Sequence, residues 1–224
     1  MCNEACIDFA VAQLHEDDVK GKKVLEVGAQ DVNGSVRSLV EALGPASYLG
    51  VDLERGPGVD EVCRAEDLLG RYGPESFDVV ISTEMLEHVS NWRTVLNNLK
   101  RVVAPGGVLL LTTRSKGFGF HGYPFDFWRY EMTDMAVLFS DFSIEALIPD
   151  RCSPGVLFKG RKPSNFQERD LSAYPLYSMM TGGRTGAIHN RDIVLFRARY
   201  LAWRVASCVL PDSIRRGLKR SLGF

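Results

Sequence analysis

The sequence predicts an α/β fold, a mostly parallel sheet wound on both faces by helices. Three observations carry this. Short apolar, β-branched runs alternate with amphipathic stretches from residue 23 to residue 113. The runs are continuously apolar, as in a sheet covered on both sides. The first two end in a glycine or an acid, where a parallel strand hands the chain to a ligand-binding turn.

Taken in order, EACIDFAVAQLH (residues 4–15) reads as a helix and KVLEVG as the first strand. GSVRSLVEALG places Val36, Leu39, Val40 and Leu43 at helical spacing, with Ser35 as a cap and Gly44 as a stop. SYLGVDLE is a second strand, ending at Asp52. DEVCRAEDLLGRYG reads as a short edge strand and a helical turn, and SFDVVIST as a buried strand ending near Ser82. In NWRTVLNNLKRVVAPGG, residues Trp92, Val95, Leu96, Leu99, Val102 and Val103 share a helix face, and APGG closes the helix before the strand VLLLTT. Beyond residue 130, EMTDMAVLF is helical. FSIEALIP and GVLFKGRK predict an antiparallel hairpin at the sheet edge.

A chain of 224 residues buries a sizeable core. With 45% hydrophobic and 25% charged residues and a net charge of −1, it is neither disordered nor a polyanion binder. Charge is uneven, however. Residues 191–224 carry +6 and the rest −7, which sets the tail apart. Five scattered cysteines, with no basic-then-apolar leader at the N-terminus, predict a reduced, cytoplasmic protein.

The loop VLEVGAQDVNGS decides the ligand class. A dinucleotide fingerprint needs glycine at positions 28, 30 and 33, but Gln30 and Asn33 occupy two of them, and no P-loop is present. A cofactor without phosphates fits better. S-adenosyl-L-methionine offers a carboxylate for the helix start near Ser35 and a ribose for Asp52. Its ammonium and sulfonium suit nearby acids. Gly28 permits close backbone approach, and Gly34 the turn.

Together VLEVGAQDVNGS, YLGVDLE, CRAEDL, FDVVISTEMLEHV and LKRVVAPGGVLLLTT resemble the class I S-adenosylmethionine-dependent methyltransferases, in the subfamily acting on small molecules. The resemblance covers roughly residues 20–115. It implies a Rossmann-like methyltransferase fold with seven strands, six parallel and one antiparallel. It implies cofactor contacts from Glu26, Gly28, Asp31, Gly34, Asp52, Leu53, Ala65, Glu66 and Ser82: Gly28 and Ser82 at the methionine end, Asp52 at the ribose, and the Ala65 backbone at the adenine. Gln30 and Val32 replace the usual later glycines, and Arg64 stands where an acid is common. Glu84, Glu87 and His88 read as caps of the next helix, with His88 a residue of the fold.

Residues 112–131, TTRSKGFGFHGYPFDFWRYE, follow the last parallel strand and are dense in aromatics. This predicts an acceptor site with His121 as general base and Tyr123, Asp126, Trp128 and Arg129 as substrate contacts. Aromatic faces with polar groups between them favour a sugar or glycan, with a phenolic or polyketide-like ring as the alternative. A non-catalytic scaffold of the same fold is the reading from another class. No metal site is predicted, because the histidines are far apart in sequence, although a carboxylate-only magnesium site stays open. Nucleic acid is excluded as a partner by the acidic core and the lack of an NPPY motif.

The expected domains are residues 1–160, binding the cofactor, and a basic, helical extension over residues 161–224. RDIVLFRARYLAWRVASCVL is apolar but carries Arg197, Arg199 and Arg204, which argues against a spanning helix. PDSIRRGLKRSLGF is basic and amphipathic. The tail reads as packing on the domain or on a second subunit in a homo-oligomer. The sharper reading is peripheral contact with the inner membrane surface.

Overall fold

The structure, a computed structural model, describes residues 3–122 and 125–209. Its main sheet has seven strands in the order β3-β2-β1-β4-β5-β8-β7. These are β1 (Lys23–Val27), β2 (Ser47–Asp52), β3 (Glu61–Val62), β4 (Phe77–Thr83), β5 (Val103–Arg114), β7 (Ser143–Pro149) and β8 (Gly155–Arg161). Strands β3, β2, β1, β4 and β5 pair in parallel, while β8 is antiparallel to both its neighbours, β5 and β7. The sheet is therefore the expected six-plus-one arrangement. The strand order reverses between β1 and β4, and that switch point opens a crevice at their carboxyl ends.

The helices are α1 (Glu4–Gln13), α2 (Glu16–Val19), α3 (Arg37–Ala42), α4 (Leu68–Tyr72), α5 (Trp92–Val102), α6 (Met132–Leu138) and α7 (Asn190–Val209). Alternation along the strands splits the core in two. On one face Val24, Val79, Ile81, Val108 and Leu110 pack with Cys6 and Phe9 of α1 and Val40 of α3. On the other, Leu25, Val80, Leu109 and Leu111 pack with Trp92, Leu96 and Leu99 of α5.

Three boundaries differ from the sequence reading. The first helix stops at Gln13, and a separate turn, α2, follows. Helix α3 starts at Arg37, whose backbone N–H donates to Ser35 Oγ at 3.0 Å, so Ser35 caps from one residue further out. APGG belongs to β5 rather than to the close of α5. The β4–β5 register jumps from Phe77–Val103 to Val79–Val108, so these residues bulge out at the start of the strand. Gly107 lies against the Asp78 carbonyl, where an added Cβ would sit at 2.6 Å.

A second sheet of three short strands, β6 (Trp128–Arg129), β9 (Leu176–Ser178) and β10 (Gly183–Thr185), runs in the order β10-β9-β6. Through it Leu176, Met179, Met180 and Phe196 join the α5-side core, so residues 161–209 share the core of the preceding residues. Among the described residues, no helix is long and apolar enough to cross a membrane.

Candidate active site

The loop after β1 is held through its backbone N–H groups, which find acceptors on neighbouring carbonyls and carboxylates. The N–H groups of Gly28 and Ala29 both donate to Val51 O, Gln30 N–H to Asp52 Oδ2 at 3.0 Å, and Asp31 N–H to Pro57 O at 2.8 Å. Asp31 Oδ1 accepts from Gly34 N–H at 2.9 Å and closes the turn, with Gly34 at φ +122°. These donors are spent inside the protein, so the loop is no phosphate cradle. Gly28 is required for a reason the sequence reading did not give. It sits at φ +83°, and an added Cβ would meet Met85 Cβ at 2.9 Å. That contact presses the loop after β1 against the loop after β4.

Glu26, at the end of β1, is buried and accepts a hydrogen bond from the Tyr48 hydroxyl at 2.6 Å. Burial raises its pKa to about 7, against the pull of Tyr48 and Arg37. Asp52 closes β2 half-buried, and its oxygens accept from Gln30 N–H and from Leu53 N–H at 2.6 Å. A carboxylate has about four acceptor positions, so it can still take two hydroxyl donors. Leu53 is exposed beside it. Ala65 and Glu66 lie in a single 3-10 turn (Ala65–Asp67), clamped from α5 by Asn98, whose Nδ2 donates to Ala65 O at 2.9 Å and Glu66 O at 2.6 Å. Ser82 is buried, and its hydroxyl donates to Val27 O at 2.8 Å. It ties β4 to β1, and its one donor is used in doing so. The predicted cofactor residues thus converge on the carboxyl ends of β1 to β4.

A second constellation lies one strand over. Glu84, at φ +53°, is buried and pairs with Arg114, and burial together with the Glu87 charge raises its pKa to about 9. Glu87 is fully buried; Thr113 Oγ1 donates to its Oε2 at 2.9 Å. His88 Nδ1 lies 2.5 Å from Phe125 O. His121 Nδ1 lies 2.9 Å from Asp126 Oδ2, and its Nε2 lies 3.7 Å from Glu87 Oε1. Asp126 and Arg129 are both fully buried in a two-pronged ion pair of 2.5 and 2.7 Å. That pair and His121 hold the Asp126 carboxyl below its usual range despite burial.

A methyltransferase-domain family model matches residues 4–149. The chain belongs to this methyltransferase family. Its fold is that of the class I S-adenosylmethionine-dependent enzymes. Two curated relatives carry the name ubiquinone biosynthesis O-methyltransferase. One, from Idiomarina loihiensis, is 34% identical over 115 residues, covering 46% of each chain. The other, from Pseudomonas syringae, is 37% identical over 110 residues, covering 43% of this chain and 46% of its own. The match thus spans about half the length of these relatives. A solved N-methyltransferase from Burkholderia thailandensis, acting on 1,6-didemethyltoxoflavin and holding it with S-adenosylhomocysteine, superimposes with a TM-score of 0.56 at 17% identity. It covers 72% of this chain and 80% of its own. That likeness is one of fold.

Within this chain, several sequence expectations are corrected. Burial disfavours a charged His121, but Asp126 and Glu87 outweigh it and raise the pKa to about 9. At neutral pH the ring is then an imidazolium with no lone pair, so His121 is not a free general base. Trp128 is buried in the core, with Nε1 donating to Val89 O at 2.9 Å. Arg129 and Asp126 are spent on each other; Arg129 also donates to the carbonyls of Trp128 and Gly119, and Asp126 accepts from His121 N–H. Tyr123 lies outside the described residues. Glu87 and His88 do not cap α5; Asn91 does, accepting from Thr94 N–H. The expectation of no metal-ligand set rested on distance along the chain. The fold brings Glu87, His88 and His121 together regardless. Asn98, Met85 and Thr113 were missed. Asn98 alone left a trace, as a polar residue among the apolar positions of α5.

Proposed function

We propose that this chain is an S-adenosylmethionine-dependent O-methyltransferase acting on a small hydroxylated acceptor. The observation that carries the reading is the convergence of Glu26, the Gly28 loop, Asp52 and the Asn98-clamped turn on one crevice, with the loop donors already spent. S-adenosylmethionine supplies a sulfonium-bound methyl that passes to the acceptor oxygen, sulfur keeping the bonding pair and the hydroxyl proton being released. The chain's own part is placement. Asp52 takes the ribose hydroxyls, and the Ala65 backbone N–H and Leu53 meet the adenine. Glu26 and Asp31 stand as acids towards the ammonium end. Holding the acceptor in line, about 3 Å from the methyl, then supplies most of the rate.

The acceptor class shifts with the structure. A glycan was favoured by the aromatic run after β5, but Phe127, Trp128 and Tyr130 are core. The names of the curated relatives favour a phenolic hydroxyl in its place.

Titration calorimetry of the full chain tests the cofactor. S-adenosylmethionine binds the wild type, and Asp52→Ala weakens it ~10- to 100-fold, as lost hydrogen bonds to a charged group of about 1.5–3 kcal/mol imply. No binding to the wild type overturns the reading and leaves the scaffold alternative. An acceptor screen by S-adenosylhomocysteine release then separates phenols from sugars.

A further inference from the structure

We infer that Glu84 is a positioning residue for the cofactor loop. Its locked, left-handed backbone aims Met85 at Gly28, and that contact fixes the β4 side of the loop after β1. The role rests on the reading of that loop as part of an S-adenosylmethionine site.

Glu84 stands at φ +53°, in the left-handed region that side chains other than glycine rarely adopt. Among the described residues one other non-glycine shares it, Glu75, which lies in an exposed turn before β4. Glu84 is instead buried, at 3% exposure. Strain of this kind persists only where the surrounding structure over-determines it. Around Glu84 it does. The Glu84 N–H donates to Thr112 O at 3.0 Å and lies 3.2 Å from Thr112 Oγ1. The same hydroxyl donates to Glu84 Oε1 at 3.1 Å, and the Cys6 thiol donates to that oxygen at 3.6 Å. Arg114 pairs with Oε2. Arg114 is itself pinned: its Nη1 donates to Asp150 at 3.2 Å and to Ser153 at 2.6 Å, and its guanidinium sits 4.2 Å from the centre of the Phe118 ring.

A glycine would take this backbone angle without strain. What it would lack is the anchor. The Glu84 carboxyl joins the loop after β4 to β5 and, through Arg114, to the turn between β7 and β8. The next residue, Met85, meets Gly28. A Cβ added at position 28 would lie 2.9 Å from Met85 Cβ and 3.0 Å from Met85 Cγ. On its other side the loop after β1 hangs from β2, through the N–H groups of Gly28 and Ala29 on Val51 O and that of Gln30 on Asp52. The loop is gripped between β2 and Met85, and Glu84 sets where Met85 stands. Releasing Glu84 lets Met85 step back and loosens Gly28.

The test is a double-mutant cycle, read by titration calorimetry of S-adenosylmethionine into the full chain. Glu84→Gly takes the backbone angle freely but loses the anchor; it is expected to weaken binding ~10-fold, while Glu84→Gln, which keeps the length and the hydrogen bonds, stays within ~3-fold of wild type. Gly28→Ala presses a methyl on Met85, and its penalty is expected to be ~10-fold smaller in the Glu84→Gly background, where Met85 yields. Thr112→Val removes the hydroxyl and keeps the shape. It is expected to shrink the Gly28→Ala penalty in the same direction, and it decides the question if Glu84→Gly does not unfold cooperatively. Unchanged affinity in Glu84→Gly, additive penalties, or a Glu84→Gln variant as impaired as Glu84→Gly would overturn the positioning role. Absence of binding to the wild type sinks the methyltransferase reading instead. The cycle is then read from urea unfolding of the same variants, where additive losses end the positioning role too.

Discussion

Glu26 shows how a single side chain can carry both function and cost. It is a carboxyl buried at the end of β1, with its pKa raised from 4.5 to about 7. The folded chain therefore keeps a proton up to about pH 7 that the unfolded chain gives up near 4.5. Stability falls as pH rises through that window, and the whole deficit is present above it. At about 1.4 kcal/mol per pKa unit the deficit is on the order of 3 kcal/mol. Glu26→Gln keeps an acceptor for Tyr48 but removes the titration. Urea unfolding without cofactor is then expected to find the variant more stable than wild type at pH 8 and close to it at pH 5. An equal gap at both pH values would show that burial of the charge is not the cause. The sequence placed Glu26 at the end of the first strand, but nothing local reveals that Tyr48, across the strand pair, caps it.

At the scale of elements, the antiparallel strand β8 is fastened by charge as well as by its ladder. Lys159 is buried, and its Nζ donates to Asp18 at 2.8 Å, to Gln13 O at 2.8 Å and meets Glu145 at 3.0 Å. One cation thus ties β8 to α1, α2 and β7. Breaking one partner of a buried pair costs about 3–5 kcal/mol, because the other charge stays behind. Lys159→Ala is expected to lower the unfolding free energy by that amount, read as a lower urea midpoint at unchanged slope; a loss under about 1 kcal/mol would mean that Arg161, which also donates to Asp18 at 2.7 Å, alone suffices for it. The strand itself was legible, since GVLFKGR is an apolar run after a turn. The partners were not, because Asp18 and Lys159 lie 141 residues apart. The same limit hid the Glu87, His88 and His121 cluster. Periodicity reports on which face a residue occupies within its own element, and says nothing of what a distant loop delivers opposite it.

For the whole molecule, the extension is the feature that composition alone set apart. Phe196 and Tyr200 of α7 stack on Phe120, and Arg199 donates to Met180 O at 2.7 Å. That face docks the helix on the domain. Val194, Leu201 and Val205 remain more than 60% exposed. The basic segment that follows, residues 211–224, lies outside the described residues. We propose that this end of the chain meets an anionic lipid surface. Wild type is expected to co-sediment with vesicles rich in anionic lipid, and the triple variant Val194→Glu, Leu201→Glu, Val205→Glu to stay in the supernatant. Equal behaviour of the two would end the proposal and leave a second copy of the chain as the partner to look for.

The sequence by itself determined the layered sheet, its seven strands and the cofactor edge, because each depends on local pattern. Apolar runs make strands, strand-end acids and glycines make the crevice, and Gln30 and Asn33 rule out a phosphate cradle. The tertiary structure decided the acceptor side. Residues 118–131 look like a binding platform when read as a string, but folding turns Phe127, Trp128 and Tyr130 inward and pairs Asp126 with Arg129. What it brings together is a histidine pair and a carboxylate drawn from two loops. Burial and long-range pairing are properties of the packed chain, and they are set by what each side chain meets after folding.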